Sequence, residues 1–271
     1  MPSASALRIQ IEHNLERRFP AALTPVPRTL RETAATGIQE VDRLLDGGLP
    51  VGAISEITGP VCSGRTGLAL AFLAGRTREE RVCAWVDASD AFDSESAAAN
   101  GVALRQLLWV RCKNASQTAR QPARPNFSRA GFSRSDFSRS DYSHLDQALR
   151  ATDLLLQAGG FAAIVLDLGS TAPEQGTRIP LASWFRFRQA ADRTRCSLLV
   201  LAQQSLAQSS AAVVLECTPR PAGTANQTVL RGCTYEVRSG RQRFTPYLAA
   251  RKRPSASVWS ATAAAQREVC A

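Results

Sequence analysis

A glycine-rich loop between an apolar strand and a helix constrains this chain more than any other part of its sequence. Residues 52–58 (GAISEIT) form an apolar, strand-like run and lead directly into the loop 59–66 (GPVCSGRT), after which a helical pattern begins. In such a loop, glycines allow backbone N–H groups to wrap a phosphate, and the helix N-terminus adds its positive end. The sequence therefore predicts a nucleotide-binding loop made of Gly59, Pro60, Val61, Cys62, Ser63, Gly64, Arg65, Thr66 and Gly67.

Arg65 stands where the general pattern of these phosphate loops, Gly-x-x-x-x-Gly-Lys-[Ser/Thr], has a lysine. Lysine reaches the terminal phosphates as a compact charge, whereas arginine is longer, planar and forked. Arg65 would either keep nucleotide affinity while misplacing the charge or block the pocket, and both outcomes put hydrolysis in doubt. The chain has 31 arginines and two lysines, so an arginine-rich genome is an alternative reason for the substitution.

Apolar runs alternate with helical patterns through the middle of the chain. Strand-like runs cover residues 52–58, 81–88, 107–112, 161–168 and 196–203, and helix candidates cover residues 66–75, 92–100, 145–158 and 180–195. This alternation predicts an α/β fold with a mostly parallel central sheet flanked by helices. From residue 211 the pattern changes to antiparallel strands with a turn at Ser239-Gly240, which would extend the sheet.

The ends of the chain differ from this core in composition. Residues 5–19 place Leu7, Ile11, Leu15 and Phe19 at helical spacing, and prolines at 20, 25 and 27 follow. We therefore expect an N-terminal helix and linker over residues 1–35, a core over 36–253 and a disordered tail over 254–271.

A low-complexity insertion interrupts the alternation at residues 113–143. It contains the repeat FSRAG-FSRSD-FSRSD-YSHLD, and residues 111–140 hold seven basic side chains against one acidic one, Asp136. We predict a disordered loop that contacts DNA or a partner protein, because arginine interleaved with aromatic rings suits stacking on single-stranded bases. A second basic segment, 238–253, has six basic residues and no acidic one. The predicted contact residues are Arg124, Phe127, Arg129, Phe132, Arg134, Phe137, Arg139, Arg251, Lys252 and Arg253. The alternatives are that these segments only maintain solubility, or that the repeat has no role.

Composition argues against several classes of protein. Hydrophobic residues make up 44% of the chain, enough for a sizeable core. No apolar run approaches the roughly 20 residues of a spanning helix, and the N-terminus lacks the apolar stretch of a secretory signal. The seven cysteines form no CxxC pair, which argues against a metal or disulfide framework. We therefore expect a cytoplasmic protein without membrane contact.

The segment GGLPVGAISEITGPVCSGRTGL (47–68), followed by VCAWVDA (82–88), resembles the core of the bacterial RecA recombinases. The resemblance implies a RecA-like P-loop core that would bind ATP and Mg²⁺. It places Asp167, near the end of FAAIVLDL (161–168), at the Walker B position, where it would help Thr66 to hold the metal. It also matches Gln203 to the glutamine by which RecA-like proteins sense the bound nucleotide.

The departures from that family are as informative as the matches. Where the family has Asp-Ala-Glu, with the glutamate activating the attacking water, this chain has Asp87-Ala88-Ser89, although Asp90 and Asp93 lie close in sequence. The two long loops with which the family grips DNA correspond here to short segments, 169–179 and 204–210. We also expect no counterpart of the large C-terminal domain of full-length RecA.

GVALRQLLWVRC (101–112), followed by HLDQALRATDLLLQAGGF (144–161), is similar to the ImuA-type, RecA-related accessory proteins of damage-induced mutagenesis. That resemblance implies a DNA-repair scaffold of the SOS response that binds an ImuB-like protein and an error-prone polymerase, with weak or absent ATPase activity. Two alternatives remain. One is an ATP-dependent recombinase that binds single-stranded DNA and self-associates in the manner of RecA. The other is a nucleotide-binding regulatory domain with no DNA role.

Overall fold

A computed structural model describes residues 29–112, 144–220, 232–246 and 254–262 of the 271-residue chain. Its helices are α1 (Gln39–Leu45), α2 (Arg65–Arg78), α3 (Ser94–Ala99), α4 (His144–Ala158), α5 (Pro173–Gly176) and α6 (Leu181–Thr194). Short 3-10 turns cover Leu104–Gln106 and Gln208–Ser210. The strands are β1 (Thr29–Arg31), β2 (Thr33–Ala34), β3 (Leu49–Pro50), β4 (Ile54–Thr58), β5 (Cys83–Asp87), β6 (Leu107–Arg111), β7 (Ala163–Asp167), β8 (Ser197–Ala202), β9 (Ala211–Arg220), β10 (Gly232–Gln242), β11 (Phe244–Pro246) and β12 (Ala256–Thr262).

An eight-stranded sheet organises the described part of the chain. Its strand order is β12-β10-β9-β4-β8-β7-β5-β6, in which the pairs from β9 to β6 are parallel and those among β9, β10 and β12 are antiparallel. The smaller ladders are β1 with β11 and β2 with β3. This arrangement confirms the predicted mostly parallel sheet with flanking helices and antiparallel C-terminal strands.

Helices cover both faces of the central strands, as the uninterrupted apolar runs predict. On one face α1 and α2 pack on the sheet, with Leu44, Leu68 and Phe72 among the residues of that core. On the other face α4 and α6 pack, and Trp184 and Phe187 of α6 are fully buried. All residues of β4, β5 and β8 are buried, so the loops that follow these strands begin from a rigid edge.

Strand β12 corrects the expectation that residues 254–271 are disordered, at least for Ala256–Thr262. This segment pairs antiparallel with β10 from Gly232 to Arg238. Trp259 is only 6% exposed, and its ring centroid lies 4.8 Å from that of Tyr235. Burial of this single large ring is the physical reason for order in an otherwise small and polar stretch.

The predicted turn at Ser239-Gly240 is also wrong, because β10 continues through both residues. The register with β9 shifts between Ser239 and Arg241, so Gly240 lies at an irregularity within the strand. A Cβ atom at position 240 would lie 2.6 Å from the Glu216 carboxylate. The glycine therefore allows close approach of a neighbouring strand rather than a reversal of the chain.

No helix among the described residues combines the length and the apolar character that crossing a bilayer requires.

Candidate nucleotide site

The loop between β4 and α2 has the backbone conformation that its glycines permit. Gly59 and Gly64 have φ angles of 150° and 86°, and Cys62 also lies in the left-handed region at 59°. A Cβ atom at Gly59 would lie 2.1 Å from the carbonyl oxygen of Cys217 in β9. A side chain is thus excluded at Gly59 by the neighbouring strand as well as by the backbone angle.

Arg65 is the first residue of α2, and its side chain turns into the protein. The residue is 8% exposed, and its Nη2 donates a hydrogen bond to the Gly169 carbonyl oxygen at 3.4 Å. Burial lowers the pKa of Arg65, an effect that the carboxylate of Asp167 and then the thiol of Cys217 oppose. The guanidinium is therefore a partly desolvated charge held beside Asp167.

Asp167, at the end of β7, and Gln203, directly after β8, both contact the backbone of Gly169. The Gly169 N–H donates to Asp167 Oδ1 at 2.9 Å, and Gln203 Nε2 donates to the Gly169 carbonyl at 3.4 Å. Burial raises the pKa of Asp167; the Asp87 carboxylate adds to the shift, whereas the Gly169 N–H and Arg65 oppose it. The structure thus brings Arg65, Asp167 and Gln203 together at Gly169, a residue that the sequence analysis did not single out.

Two buried polar atoms at the loop fit a phosphate-bearing ligand. Ser63 Oγ and Arg65 Nη1 are buried, and neither has a hydrogen-bond partner among the described residues. Both can donate to an anion, and the first turn of a helix such as α2 has N–H groups without intrahelical partners that can do the same. Thr66, which is exposed at that turn, and Asp167 supply the oxygen ligands that Mg²⁺ prefers. The residues present are therefore compatible with a Mg²⁺–nucleotide.

The carboxylates near Ser89 have structural partners. Asp87 is fully buried and accepts hydrogen bonds from the backbone N–H groups of Ser89, Ala91 and Phe92. Asp90 makes a two-pronged ion pair with Arg111 at 2.6 and 2.7 Å. Asp93 caps α3, and its hydrogen bonds, chiefly that from Ser96, lower the pKa of its carboxyl group. Asp90 and Asp93 thus both have partners within the described residues.

Glu56 anchors the segment after Gln203. It is fully buried in the middle of β4, and its carboxylate accepts hydrogen bonds from Ser205 Oγ at 2.6 Å and from the N–H groups of Leu206 and Ala207 at 2.6 and 2.7 Å. Three donors satisfy a charge that would otherwise be costly to bury. The sequence analysis missed this residue, although a carboxylate at the centre of the apolar run GAISEIT was a usable signal.

Two aromatic side chains of the C-terminal strands cover the loop. A Cβ atom at Gly64 would come within 2.8 Å of the Tyr235 ring, and one at Gly67 would lie 3.2 Å from Trp259. Burial and the neighbouring Cys233 raise the pKa of Tyr235 to about 12, so its phenol stays neutral. The sequence offered no signal for this contact, since Tyr235 lies 171 positions after Gly64.

The predicted DNA or partner contacts Arg124, Phe127, Arg129, Phe132, Arg134, Phe137, Arg139, Arg251, Lys252 and Arg253 lie outside the described residues. The two residues that flank the insertion are described and lie together. Nδ1 of His144 is 3.1 Å from the carbonyl oxygen of Cys112. The insertion therefore leaves and re-enters the domain at one point, beside the carboxyl end of β6.

Comparison with known proteins gives a partial match centred on the loop region. Residues 9–121 match the RecA N-terminal domain family. Over 99 residues the chain is 41% identical to Protein RecA of Crocosphaera subtropica, 40% identical to that of Nostoc punctiforme and 39% identical to that of Nostoc sp.. Each alignment covers 36% of this chain and 28% of the relative, so the similarity spans less than a third of the curated relatives it matches.

Proposed function

We propose that this RecA-like chain is a DNA-repair accessory scaffold of damage-induced, translesion mutagenesis, with weak or absent ATPase activity. The observation that carries the proposal is the position of Arg65. Its guanidinium is buried and hydrogen-bonded to the Gly169 carbonyl, in the loop where a lysine would contact the terminal phosphates. A guanidinium held in this way favours nucleotide binding over ATP hydrolysis.

Hydrolysis needs charge placed at the transferring phosphate and a group that orients the attacking water. The Arg65 guanidinium interacts with the Asp167 carboxylate and donates a hydrogen bond to the Gly169 carbonyl. The side chain at position 89 is only a serine hydroxyl. Asp90 and Asp93 are engaged by Arg111 and by the N-terminus of α3. These contacts support a site that would hold ATP and Mg²⁺ without efficient hydrolysis.

The proposed partners follow from the resemblance to ImuA-type proteins and from the distribution of charge. An ImuB-like protein and an error-prone polymerase would bind the scaffold in the cytoplasm. The basic segments 111–140 and 238–253 would contact single-stranded DNA or an acidic surface of that assembly. Self-association of the RecA type is a further expectation from the family.

The alternative, an ATP-dependent recombinase, is favoured by one observation: Thr66, Asp167 and Gln203 are all retained, and the last two converge on Gly169. Against it stands the segment after Gln203, which Glu56 ties to β4 through Ser205, Leu206 and Ala207. A segment held by three hydrogen bonds to a buried carboxylate is poorly suited to extend along a DNA strand. We therefore favour the scaffold.

The test is a paired measurement on the purified protein. We expect ATP hydrolysis at background level with and without single-stranded DNA, no strand exchange, and co-elution with an ImuB-like protein from the same cells. DNA-stimulated hydrolysis together with strand exchange would show that the chain is a recombinase. Nucleotide binding with no binding to single-stranded DNA or to an ImuB-like protein would instead support the alternative of a regulatory domain.

A further inference from the structure

Helix α6 presents two large apolar side chains to solvent. Leu181 and Phe185 are 57% and 47% exposed and lie one helical turn apart. Trp184 and Phe187 of the same helix are buried in the core, and Arg186 lines the groove between α6 and α4. The exposed pair therefore lies neither on the core side of α6 nor on the side that faces α4.

Arg188 lies beside this pair and completes the surface. Its guanidinium carbon is 5.0 Å from the centroid of the Phe185 ring, which places the cation over the aromatic face. We call Leu181, Phe185 and Arg188 the α6 stripe. Arg188 has no ion pair among the described residues. A guanidinium that packs on a ring keeps its N–H donors at the edge of its plane, where a carboxylate can accept two of them.

The surroundings of the stripe have an excess of positive charge. Residues 173–195 contain five arginines and two acidic residues, a net charge of +3, and α4 contains one arginine and two acidic residues, a net charge of −1. The two parts together therefore have a net charge of +2. Asp153 and Asp192 are already paired, with Arg186 at 3.7 Å and with Arg31 at 2.9 Å. A molecule that binds at the stripe is therefore expected to be acidic.

The stripe suits a protein segment better than a nucleic acid. Leu181 has no aromatic face on which a base could stack. Phenylalanine and arginine are both enriched at the centre of protein–protein interfaces. Because Leu181 and Phe185 are four positions apart, they match the spacing of apolar side chains along one face of a second helix. The surface thus fits an amphipathic helix whose apolar residues are flanked by Asp or Glu.

We infer that the α6 stripe binds an acidic amphipathic helix of the protein partner of this chain. The inference rests on the proposed function, which gives the chain an ImuB-like partner, and it names the surface to which that partner binds. Leu181 and Phe185 supply the apolar contact, and Arg188 receives a carboxylate of the partner beside the Phe185 ring. None of these three side chains belongs to the nucleotide site.

Affinity measurements between the full-length chain and the ImuB-like protein from the same cells test this inference. The double variant Leu181→Ser, Phe185→Ser should weaken binding at least about tenfold, because it removes the apolar anchors of the contact. Arg188→Glu should weaken binding by a similar factor, since it places a carboxylate opposite the acidic residues of the partner. Leu154→Ser is the matched control: Leu154 is a 69% exposed leucine on α4, and its replacement should leave the affinity unchanged.

Equal affinities in the wild type, the double variant and Arg188→Glu would overturn the inference and leave the proposed function intact. A wild type that does not bind the ImuB-like protein would overturn both. If the variants instead lost only binding to single-stranded DNA, or only self-association, the stripe would be a surface for nucleic acid or for a second copy, and the inference would be wrong. Circular dichroism verifies folding, and Arg188→Glu keeps the test decisive if the double variant is unstable.

Discussion

At the scale of single residues, the candidate site is assembled around the backbone of Gly169. Its carbonyl accepts from Arg65 and Gln203, and its N–H donates to Asp167. A carbonyl oxygen has two lone pairs, so both donors can be satisfied at once. If a bound phosphate drew Arg65 away from the Gly169 carbonyl, Gln203 would be the remaining donor to that oxygen. The Gly169 carbonyl therefore links the loop after β4 to the end of β8.

Restoring the two missing side chains should restore turnover. We expect the double variant Arg65→Lys, Ser89→Glu to hydrolyse ATP at least about tenfold faster than the wild type, because a positioned general base contributes about 10²–10⁴-fold. Arg65→Lys alone should give a smaller gain, since position 89 would still lack a base. Phosphate release at saturating ATP is the measurement. Absence of any gain in the double variant would mean that the rest of the pocket does not hold ATP in a reactive geometry.

The raised pKa of Asp167 predicts a dependence of stability on pH. Because burial raises this pKa above its value in the unfolded chain, the protonated carboxyl favours folding, and that contribution is lost as the pH rises through the folded-state pKa. Asp167→Asn removes the ionisation, so its free energy of unfolding relative to wild type should be higher at about pH 7 than at about pH 4. Urea unfolding at both pH values measures this difference. Glu95→Gln, on exposed α3, serves as control, and an identical pH response in both variants would contradict the prediction.

At the scale of elements, β4 positions two loops of the candidate site. Ile54 and Ile57 are fully buried, on opposite faces of the sheet, while Glu56 holds the segment that follows β8. The strand therefore positions both the phosphate loop at its own end and the segment beside Gln203. A shift of β4 would therefore move both loops of the site.

Removal of the Glu56 carboxylate should loosen the second of these loops. Glu56→Ala leaves the N–H groups of Leu206 and Ala207 without their acceptor, so we expect a loss of about 3 kcal/mol in the free energy of unfolding. Hydrogen exchange at those two amides should accelerate more than exchange within β4. Glu216→Ala, an exposed carboxylate on β9, is the comparison and should change stability by less than about 0.5 kcal/mol. A similar loss of stability in Glu56→Ala and Glu216→Ala would contradict the role given to the Glu56 carboxylate.

The sequence predicted elements well where a local pattern determines them, and poorly where distant residues do. Five of the six strands in the parallel part of the sheet, β4 to β8, lie within the predicted apolar runs, and in β4, β5 and β8 complete burial accounts for the continuous hydrophobic signature. Gly240 looked like a turn since glycine serves both turns and close strand contacts, and only the position of Glu216 separates the two. β12 was missed because its order depends on Trp259 meeting Tyr235. Asp167 and Gln203 could be placed at strand ends, whereas their common partner Gly169 required the fold.

At the scale of the whole molecule, the basic charge is concentrated in two segments of the chain. The segments 111–140 and 238–253 account for a net charge of +12, from +6 and +6, while the whole chain has +10. The remainder therefore sums to −2. Any contact with nucleic acid that depends on charge is expected at these segments rather than over the helices.

Deleting residues 113–143 should weaken binding to single-stranded DNA and reduce its dependence on salt. A Gly-Ser linker can join Cys112 to His144, whose contact of 3.1 Å shows that the ends are close. The slope of log K against log salt should fall by about 0.7 for each phosphate contact removed. Titration of a labelled oligonucleotide at several salt concentrations measures this. Replacing Phe127, Phe132 and Phe137 by serine keeps the charge and should lower affinity without altering the slope. Unchanged binding after deletion would leave the insertion without a role in DNA contact.

The contact between Cys112 and His144 also has a consequence for how this protein can change over time. Because the insertion begins and ends at one point, its length places no demand on the registers of β6 or α4, and loop closure penalises added residues only logarithmically. A tandem five-residue unit can thus be gained or lost without a change in the fold. The number of repeats should therefore vary among related chains while the strand registers of the sheet stay the same.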